Sequence, residues 1–299
     1  MTYNEEKAKK IRTEEKSCGK MGLVNKENTC YVNSVMQCLA HIPGFASMFR
    51  KSGNEIVQTF SNLLSLLSQS EDVAVMEPNI FRKMIKRELP EFGNAQQHDA
   101  HEFLRELLAL IVENLEPEEV MRMRTKIEGE IKHSLSCGRC KSVKSKLQRF
   151  SDLSLPFPDF PELTLKNLLD FEFSPEDLEA KVECEDCDTR TECTKFSKIV
   201  ELPRVLTIHL KRFSFNRKSQ KISHHVSFPL SGLTVNNATY TLYCIICHHG
   251  RTLQSGHYSA YCFNQSDFCW YHYNDDKVIA VSEEIVKKLD AYILFYKQL

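Results

Sequence analysis

Apolar residues recur at intervals of three and four through the first third of the chain. Later they cluster in short runs rich in β-branched and aromatic side chains. The pattern predicts a helical layer followed by a sheet layer. Ile56, Phe60, Leu63, Leu64 and Leu67 form one helical stripe, and Phe103, Leu104, Leu107, Leu108 and Ile111 form another. Pro78 and Pro90 bracket a shorter helix carrying Phe81, Met84 and Ile85. After Glu119 the pattern changes to alternating strands, with Ile127, Ile131 and Leu135 on one side of the first and Leu153, Leu155 and Phe157 further on. Residues 204–215, 240–248, 257–263 and 291–297 have the composition of buried antiparallel strands. Residues 1–21 mix Glu with Lys and Arg and carry few apolar side chains, which predicts a charged extension outside the fold. The polar stretch 216–225 predicts an exposed loop. Neither an internal repeat nor a low-complexity segment is present.

Composition narrows the class of protein. With 299 residues, 42% hydrophobic and 26% charged, the chain can bury a sizeable core. A formal net charge of −1 gives no basic excess for binding phosphate backbones, so nucleic acid is excluded as an expected partner. No run approaches the roughly 20 apolar residues needed to cross a bilayer. The first residues are charged where a secretory signal would be apolar. A cytoplasmic and/or nuclear protein without a membrane partner is expected. In such a compartment the 12 cysteines point to metal ligation or thiolate chemistry ahead of disulfides.

Two segments carry candidate chemistry. Gly22 to Ser34 places Cys30 after turn-forming Asn, Lys and Glu residues and just before the apolar-periodic Val35, Met36 and Leu39. Cys30 is therefore expected at a helix N-terminus, where unpaired N–H groups and the positive dipole end favour a thiolate. Taken alone, the segment is equally compatible with a buried packing cysteine. His257 heads an apolar strand, and the run Trp270 to Asp276 supplies Asn274 and Asp275 at the end of the next. A thiolate nucleophile needs an imidazole base, and the imidazole needs a third group to orient it. The chain order Cys, His, Asn matches the papain-like arrangement.

These residues resemble the signature boxes of the ubiquitin-specific proteases. Gly22 to Ser34 is similar to the family's cysteine box and Tyr240 to Asp275 to its histidine box. Between them lie Gln97-His98-Asp99-Ala100-His101-Glu102-Phe103-Leu104, then Leu202-Pro203 with Leu206 and His209-Leu210-Lys211-Arg212-Phe213, then Val226-Ser227-Phe228-Pro229. The resemblance spans about Gly22 to Tyr296. It implies Cys30 as nucleophile, His257 as general base and acid, Asn274 as the residue orienting the ring, with Asp275 as the alternative, and Asn25 as the oxyanion side chain. It further implies ubiquitin and ubiquitinated proteins as partners, hydrolysis through a thioester acyl-enzyme, no catalytic cofactor, and a monomer. The family's substrate tail ends in Arg-Leu-Arg-Gly-Gly. Asp99 and Glu102 are expected on one helix face to meet its arginines, with Gln97, Gly256 and Tyr258 along the channel. One departure stands out: the family usually has glycine where this chain has Glu27. A backbone needing φ > 0 there is strained by glutamate, and the new carboxylate works against a thiolate, so lowered activity is expected. A member that grips ubiquitin without cutting it is the rival reading. A papain-like peptidase acting on ordinary peptides is a third.

Cys137-Gly138-Arg139-Cys140 and Cys184-Glu185-Asp186-Cys187 are two C-x-x-C pairs separated by 43 residues. Four thiolates in this pattern fit a tetrahedral, structural zinc ion. Cys193 and His133 lie nearby but belong to no matching pair. Cys244 and Cys247 form a third C-x-x-C, on a predicted strand where residues three apart point to opposite faces. These two, with Cys18, Cys38, Cys262 and Cys269, read as packing or surface cysteines. The expected fold is α+β, a papain-like cysteine peptidase with a helical thumb at 22–125, zinc-tipped fingers at 126–200 and a palm sheet at 201–299.

Overall fold

The computed structural model describes residues 19–49, 52–70, 73–213, 221–252 and 255–299. Most of the charged extension, Cys18 with it, and residues 216–220 of the polar loop lie outside them.

The helical layer begins with a short strand, β1 (Met21–Leu23), followed by α1 (Cys30–His41) and α2 (Glu55–Gln69). The strand β2 (Ala74–Met76) runs parallel to β1. Three more helices follow, α3 (Asn79–Glu88), α4 (Ala100–Glu113) and α5 (Pro117–Ile127). Two of these helices start on side-chain caps. Asn54 caps α2 through Ile56 N–H at 2.8 Å, and Asp99 caps α4 through His101 N–H at 2.7 Å and Glu102 N–H at 3.0 Å. The helix α5 corrects the expectation of strands directly after Glu119. Pro117 occupies its first turn, and the Glu119 side chain accepts the Glu116 N–H at 3.3 Å, so helix continues to Ile127.

Strands β3 (Gly129–Cys137) and β4 (Val143–Phe150) then project outward, and β5 (Leu153–Leu155) returns to the main sheet. Helix α6 (Leu165–Glu172) follows, then β6 (Glu176–Asp177), β7 (Val182–Cys184), β8 (Thr189–Thr191) and β9 (Cys193–Glu201). The order β4-β3-β9-β6 makes a four-stranded antiparallel sheet, and β7 pairs with β8. Within 126–200, therefore, β5 and α6 belong to other layers. Leu153, Leu155, Leu165, Leu168 and Leu169 join the core of the large sheet.

That sheet is completed by β10 (Val205–Leu210), β11 (Ser231–Val235), β12 (Ala238–Thr252), β13 (Ser255–Asn264), β14 (Cys269–Asn274) and β15 (Lys277–Val281). The short helix α7 (Glu283–Val286) precedes its last strand, β16 (Ala291–Gln298). Strands run in the order β15-β14-β13-β12-β16-β10-β5, with β11 on β12. The alternation of side chains across this sheet separates two cores. One face, with Cys244, Ile246, Tyr258, Ala260 and Cys262, meets α1 and the other helices. The opposite face, with Ile245, Cys247, Tyr261 and Trp270, meets α6. Cys244 and Cys247 fall on opposite faces, as strand periodicity requires. Among the described residues no helix is long and apolar enough to cross a membrane.

Candidate active site

Cys30 is the first residue of α1 and is 3% exposed. The preceding loop is folded back by Asn25, whose Oδ1 accepts the Thr29 N–H at 2.9 Å. Arg82 of α3 adds a hydrogen bond to Thr29 Oγ1 at 3.0 Å and another to the Val24 carbonyl. The loop closes through two consecutive residues in the left-handed region, Glu27 at φ 61° and Asn28 at φ 62°. Asparagine tolerates that conformation, and Asn28 anchors its side chain on the Ala95 carbonyl at 2.9 Å. Glutamate has no such compensation, so the strain expected at Glu27 is present in the backbone. Its charge lies within the field of Arg82, whose guanidinium its carboxylate favours. Glu27→Gly should therefore raise stability by about 1 kcal/mol, the scale of a left-handed non-glycine residue. A melting temperature that stays level or falls by calorimetry would show that the attraction to Arg82 outweighs the strain.

His257 enters from β13, on the other side of the core that carries α1. Its Nε2–H donates to Asn274 Oδ1 at 2.6 Å, and the Cys30 side chain is close enough to act on the ring's charge. Asn274 ends β14, and Asp275 follows it in a two-residue hairpin turn with φ 53°. Asp275 Oδ2 stands 3.8 Å from His257 Nε2, too far for a hydrogen bond. Its oxygens serve other groups: Oδ2 accepts Asn25 Nδ2 at 2.8 Å, and Oδ1 accepts Asn33 Nδ2 at 2.9 Å. The Asp275 carbonyl accepts the Leu23 N–H at 2.9 Å. The hairpin turn thus ties both the Asn25 loop and α1 to the sheet. Sequence reasoning missed Asn33, although an asparagine within an otherwise apolar run is a visible signal that the buried face holds a partner.

Interaction with the Cys30 side chain is the largest cause raising the His257 ring to about 9. Burial opposes it, while Asn274 and the charges of Cys30 and Asp275 reinforce it. A raised histidine stabilises the fold fully below its unfolded value near 6.5, and the contribution is lost as pH rises through about 9. Activity that needs the imidazolium should fall on the same alkaline limb. A kcat/KM profile still rising at pH 10 would show that the protonated ring is not required.

The remaining sequence-predicted residues line the junction between α4 and the sheet. Gln97 Oε1 accepts the Gly256 N–H at 2.8 Å, which fixes the strand immediately before His257. Asp99 sits before α4 as its cap instead of on the helix, and its second oxygen receives the hydroxyls of Tyr292 and, at 3.4 Å, Tyr258. Its carboxylate is therefore occupied internally, whereas Glu102 is exposed. Tyr258 points away from His257 by strand alternation and is 3% exposed, so it is a buried strut under Asp99 and not an open channel wall. Gly256 has a nearer reason for being glycine than the substrate. A Cβ there would stand 2.1 Å from the Nε2 of buried His248 and 2.9 Å from the His249 carbonyl. A further junction, also missed from sequence, stacks His101 of α4 on His209 of β10 at 3.8 Å, with Asp152 at 2.9 Å from His101 Nε2.

At the far end of the fingers Cys137, Cys140, Cys184 and Cys187 bring their sulfurs within 4.8 Å of one another. Cys137 and Cys187 are 3.9 Å apart, and Cys140 and Cys184 are 3.7 Å apart. A tetrahedron with metal–sulfur bonds of about 2.3 Å has edges of about 3.8 Å, so the four residues fit one ion. The residue after each pair, Lys141 at φ 61° and Asp188 at φ 47°, is left-handed, which turns both pairs toward a common point. His133 instead engages Ser197 Oγ at 2.8 Å, and Cys193 bonds the Thr191 carbonyl at 3.7 Å.

Comparison with known proteins places this arrangement. The family model for ubiquitin carboxyl-terminal hydrolase matches residues 21–296, and the chain belongs to that family. It is 32% identical to chicken ubiquitin carboxyl-terminal hydrolase 2, covering 93% of each chain. It is 31% identical to the human protein of the same name, over 93% of this chain and 55% of that one. The chain thus spans about half the length of the mammalian relatives it matches. In fold it is similar to a chain of the SAGA Ubp8/Sgf11/Sus1/Sgf73 DUB module bound to ubiquitin aldehyde. The TM-score is 0.80 at 26% identity, over 95% of this chain and 70% of that one. The α+β fold with thumb, palm and fingers is that of the ubiquitin-specific proteases.

Proposed function

We propose that the chain is a cysteine-type deubiquitinase that hydrolyses the isopeptide or peptide bond after the C-terminal glycine of ubiquitin. The observation that carries this reading is the single constellation of Cys30 at a helix N-terminus, His257 raised by its interaction with the Cys30 side chain, and Asn274 at 2.6 Å from the ring. Membership of the family supports the substrate, as does the ubiquitin aldehyde bound to the similar module.

In this mechanism Cys30 attacks the last glycine's carbonyl as thiolate. Negative charge develops on the carbonyl oxygen at the N-terminal end of α1, where the first N–H groups lack intrahelical partners. The Asn25 amide spends one N–H on Asp275 and has a second for that oxygen. The His257 imidazolium, held in one tautomer by Asn274, protonates the departing amine. It then takes a proton from the water that hydrolyses the thioester. Gln97 and Asp99 act as positioning residues, the first through Gly256 and the second through α4 and the two tyrosines. Glu102, exposed in the first turn of α4, is the carboxylate free to meet an arginine of the ubiquitin tail. The fingers hold zinc through Cys137, Cys140, Cys184 and Cys187. Four protein ligands leave it no open position, so it supplies structure and no chemistry. The site makes no use of nucleic acid or membrane. We take a soluble cytoplasmic or nuclear monomer as the working form.

The test is reaction with ubiquitin carrying an electrophile at its C-terminus, read by intact mass. An adduct on the native chain and none on Cys30→Ala is expected. No adduct on folded, zinc-loaded protein overturns the assignment and favours the rival, a module that grips ubiquitin without cutting it.

A further inference from the structure

Beneath the candidate active site lies a second group of cysteines that the proposed chemistry does not use. Cys38 is on α1, eight positions after Cys30. Cys244 on β12 and Cys262 on β13 are direct cross-strand partners on the sheet face that meets α1. All three side chains are fully buried, at 0% exposure. Their sulfurs lie within 4.8 Å of one another. Cys244 also reaches the Cys38 carbonyl at 3.6 Å.

We propose that Cys38, Cys244 and Cys262 form a three-sulfur binding site for a soft monovalent cation, Cu(I). The donor set selects the ion. Zinc in a structural site and iron–sulfur clusters take four protein ligands, and calcium or magnesium takes oxygen. No fourth histidine, cysteine or carboxylate joins the group among the described residues. His41, whose charge acts on Cys244, is already engaged, by the Gln37 carbonyl at 2.8 Å on Nδ1 and by the Gly19 carbonyl at 3.0 Å and Tyr273 hydroxyl at 2.9 Å on Nε2. Thiolates in a dry pocket with three donors suit Cu(I), which accepts low coordination and prefers sulfur. Cu(I) displaces the S–H protons of the three cysteines to solvent and the three thiolates coordinate it, so loading is favoured as pH rises. No electron is transferred. Entry requires local opening of α1 from β12 and β13, so loading is slow. Once bound, the ion cross-links the helix that starts at Cys30 to the strand that carries His257.

The proposal is tested by anaerobic titration with the Cu(I)–bicinchoninate complex to equilibrium. A Cys30→Ala background removes the active-site thiol. Zinc-loaded protein is used and zinc is counted before and after. Cu(I) taken up by the fingers cysteines or by exposed Cys269 is common to all variants. Cys30→Ala should therefore bind one equivalent more than the same chain with Cys244→Ala. The Cys247→Ala control, altered on the opposite sheet face, should keep that equivalent. Cu(I) should also raise the melting temperature only where all three sulfurs remain. Cys262→Ala provides a second deletion should Cys244→Ala misfold, with folding checked by circular dichroism and zinc content. Equal stoichiometry in the parent and either folded deletion overturns the site, whatever the outcome with electrophilic ubiquitin.

Discussion

Replacement of His257 by alanine is expected to lower kcat/KM for ubiquitin cleavage by about 10²–10⁴, the range supplied by one positioned acid–base group. The ring serves twice in the proposed cycle. It holds the thiolate as an ion pair and protonates the leaving amine, so both acylation and kcat suffer. The neighbouring carboxamide and carboxylate separate by mechanism more than by size. Asn274 touches the ring at 2.6 Å and helps raise it, so Asn274→Ala should move the alkaline limb to lower pH while leaving the Asn25 loop in place. Asp275 stands at 3.8 Å and spends its oxygens on Asn25 and Asn33. Asp275→Ala should therefore reduce kcat by loosening the loop ahead of Cys30, with a smaller displacement of the limb. The opposite ordering of the two displacements would make Asp275 the ring's effective partner. Binding of ubiquitin to a Cys30→Ala background should change little in either variant, which separates loss of chemistry from loss of fold.

Most of this site was legible in the sequence because its signals are local. The α1 start follows from a turn-forming run ahead of an apolar period, and the strands from clusters of β-branched and aromatic residues. The C-x-x-C pairs announce themselves by spacing. What the sequence did not disclose depends on contacts across long separations. Asp99 reads as a helical carboxylate from its motif, yet Tyr292, 193 positions away, takes one of its oxygens. Gly256 reads as a requirement of the substrate channel, but the nearer constraint is His248 on the adjacent strand, through a register that composition does not encode. The helix ending at Ile127 was hidden because Ile127, Ile131 and Leu135 satisfy two periods at once. Only the cap chemistry of Glu116, Pro117 and Glu119 separates them. Conversely, the strain at Glu27 was foreseeable, since the departure from glycine pointed to a left-handed position that the backbone shows.

Removing one of the fingers cysteines, by Cys137→Ala or Cys184→Ala, is expected to release the metal and to collapse affinity for ubiquitin while the palm remains folded. The argument rests on where the core is. The large sheet is packed on both faces, but β4 has no buried residue along its length, and Val143 and Leu147 are 53% and 55% exposed. Beyond Ile131 and Ile199, the fingers bury little other than sulfur: Cys137, Cys184 and Cys193. An ion bound there would substitute for a core at the tip, and structural zinc in small domains is worth about 10–16 kcal/mol of apparent binding free energy. Losing one of four thiolates leaves a site that zinc no longer closes, and β7, β8 and the turn after β3 lose their common anchor. The expected readings are one equivalent less zinc by elemental analysis, selective loss of amide protection around 137–143 and 182–193, and a KM for ubiquitin conjugates raised at least tenfold. The Cys30 site itself, held by α1, β13 and β14, should still react with a small thiol reagent at a nearly native rate. Retained zinc, or lost zinc with an unchanged KM, would show that the metal does not hold the substrate-gripping surface.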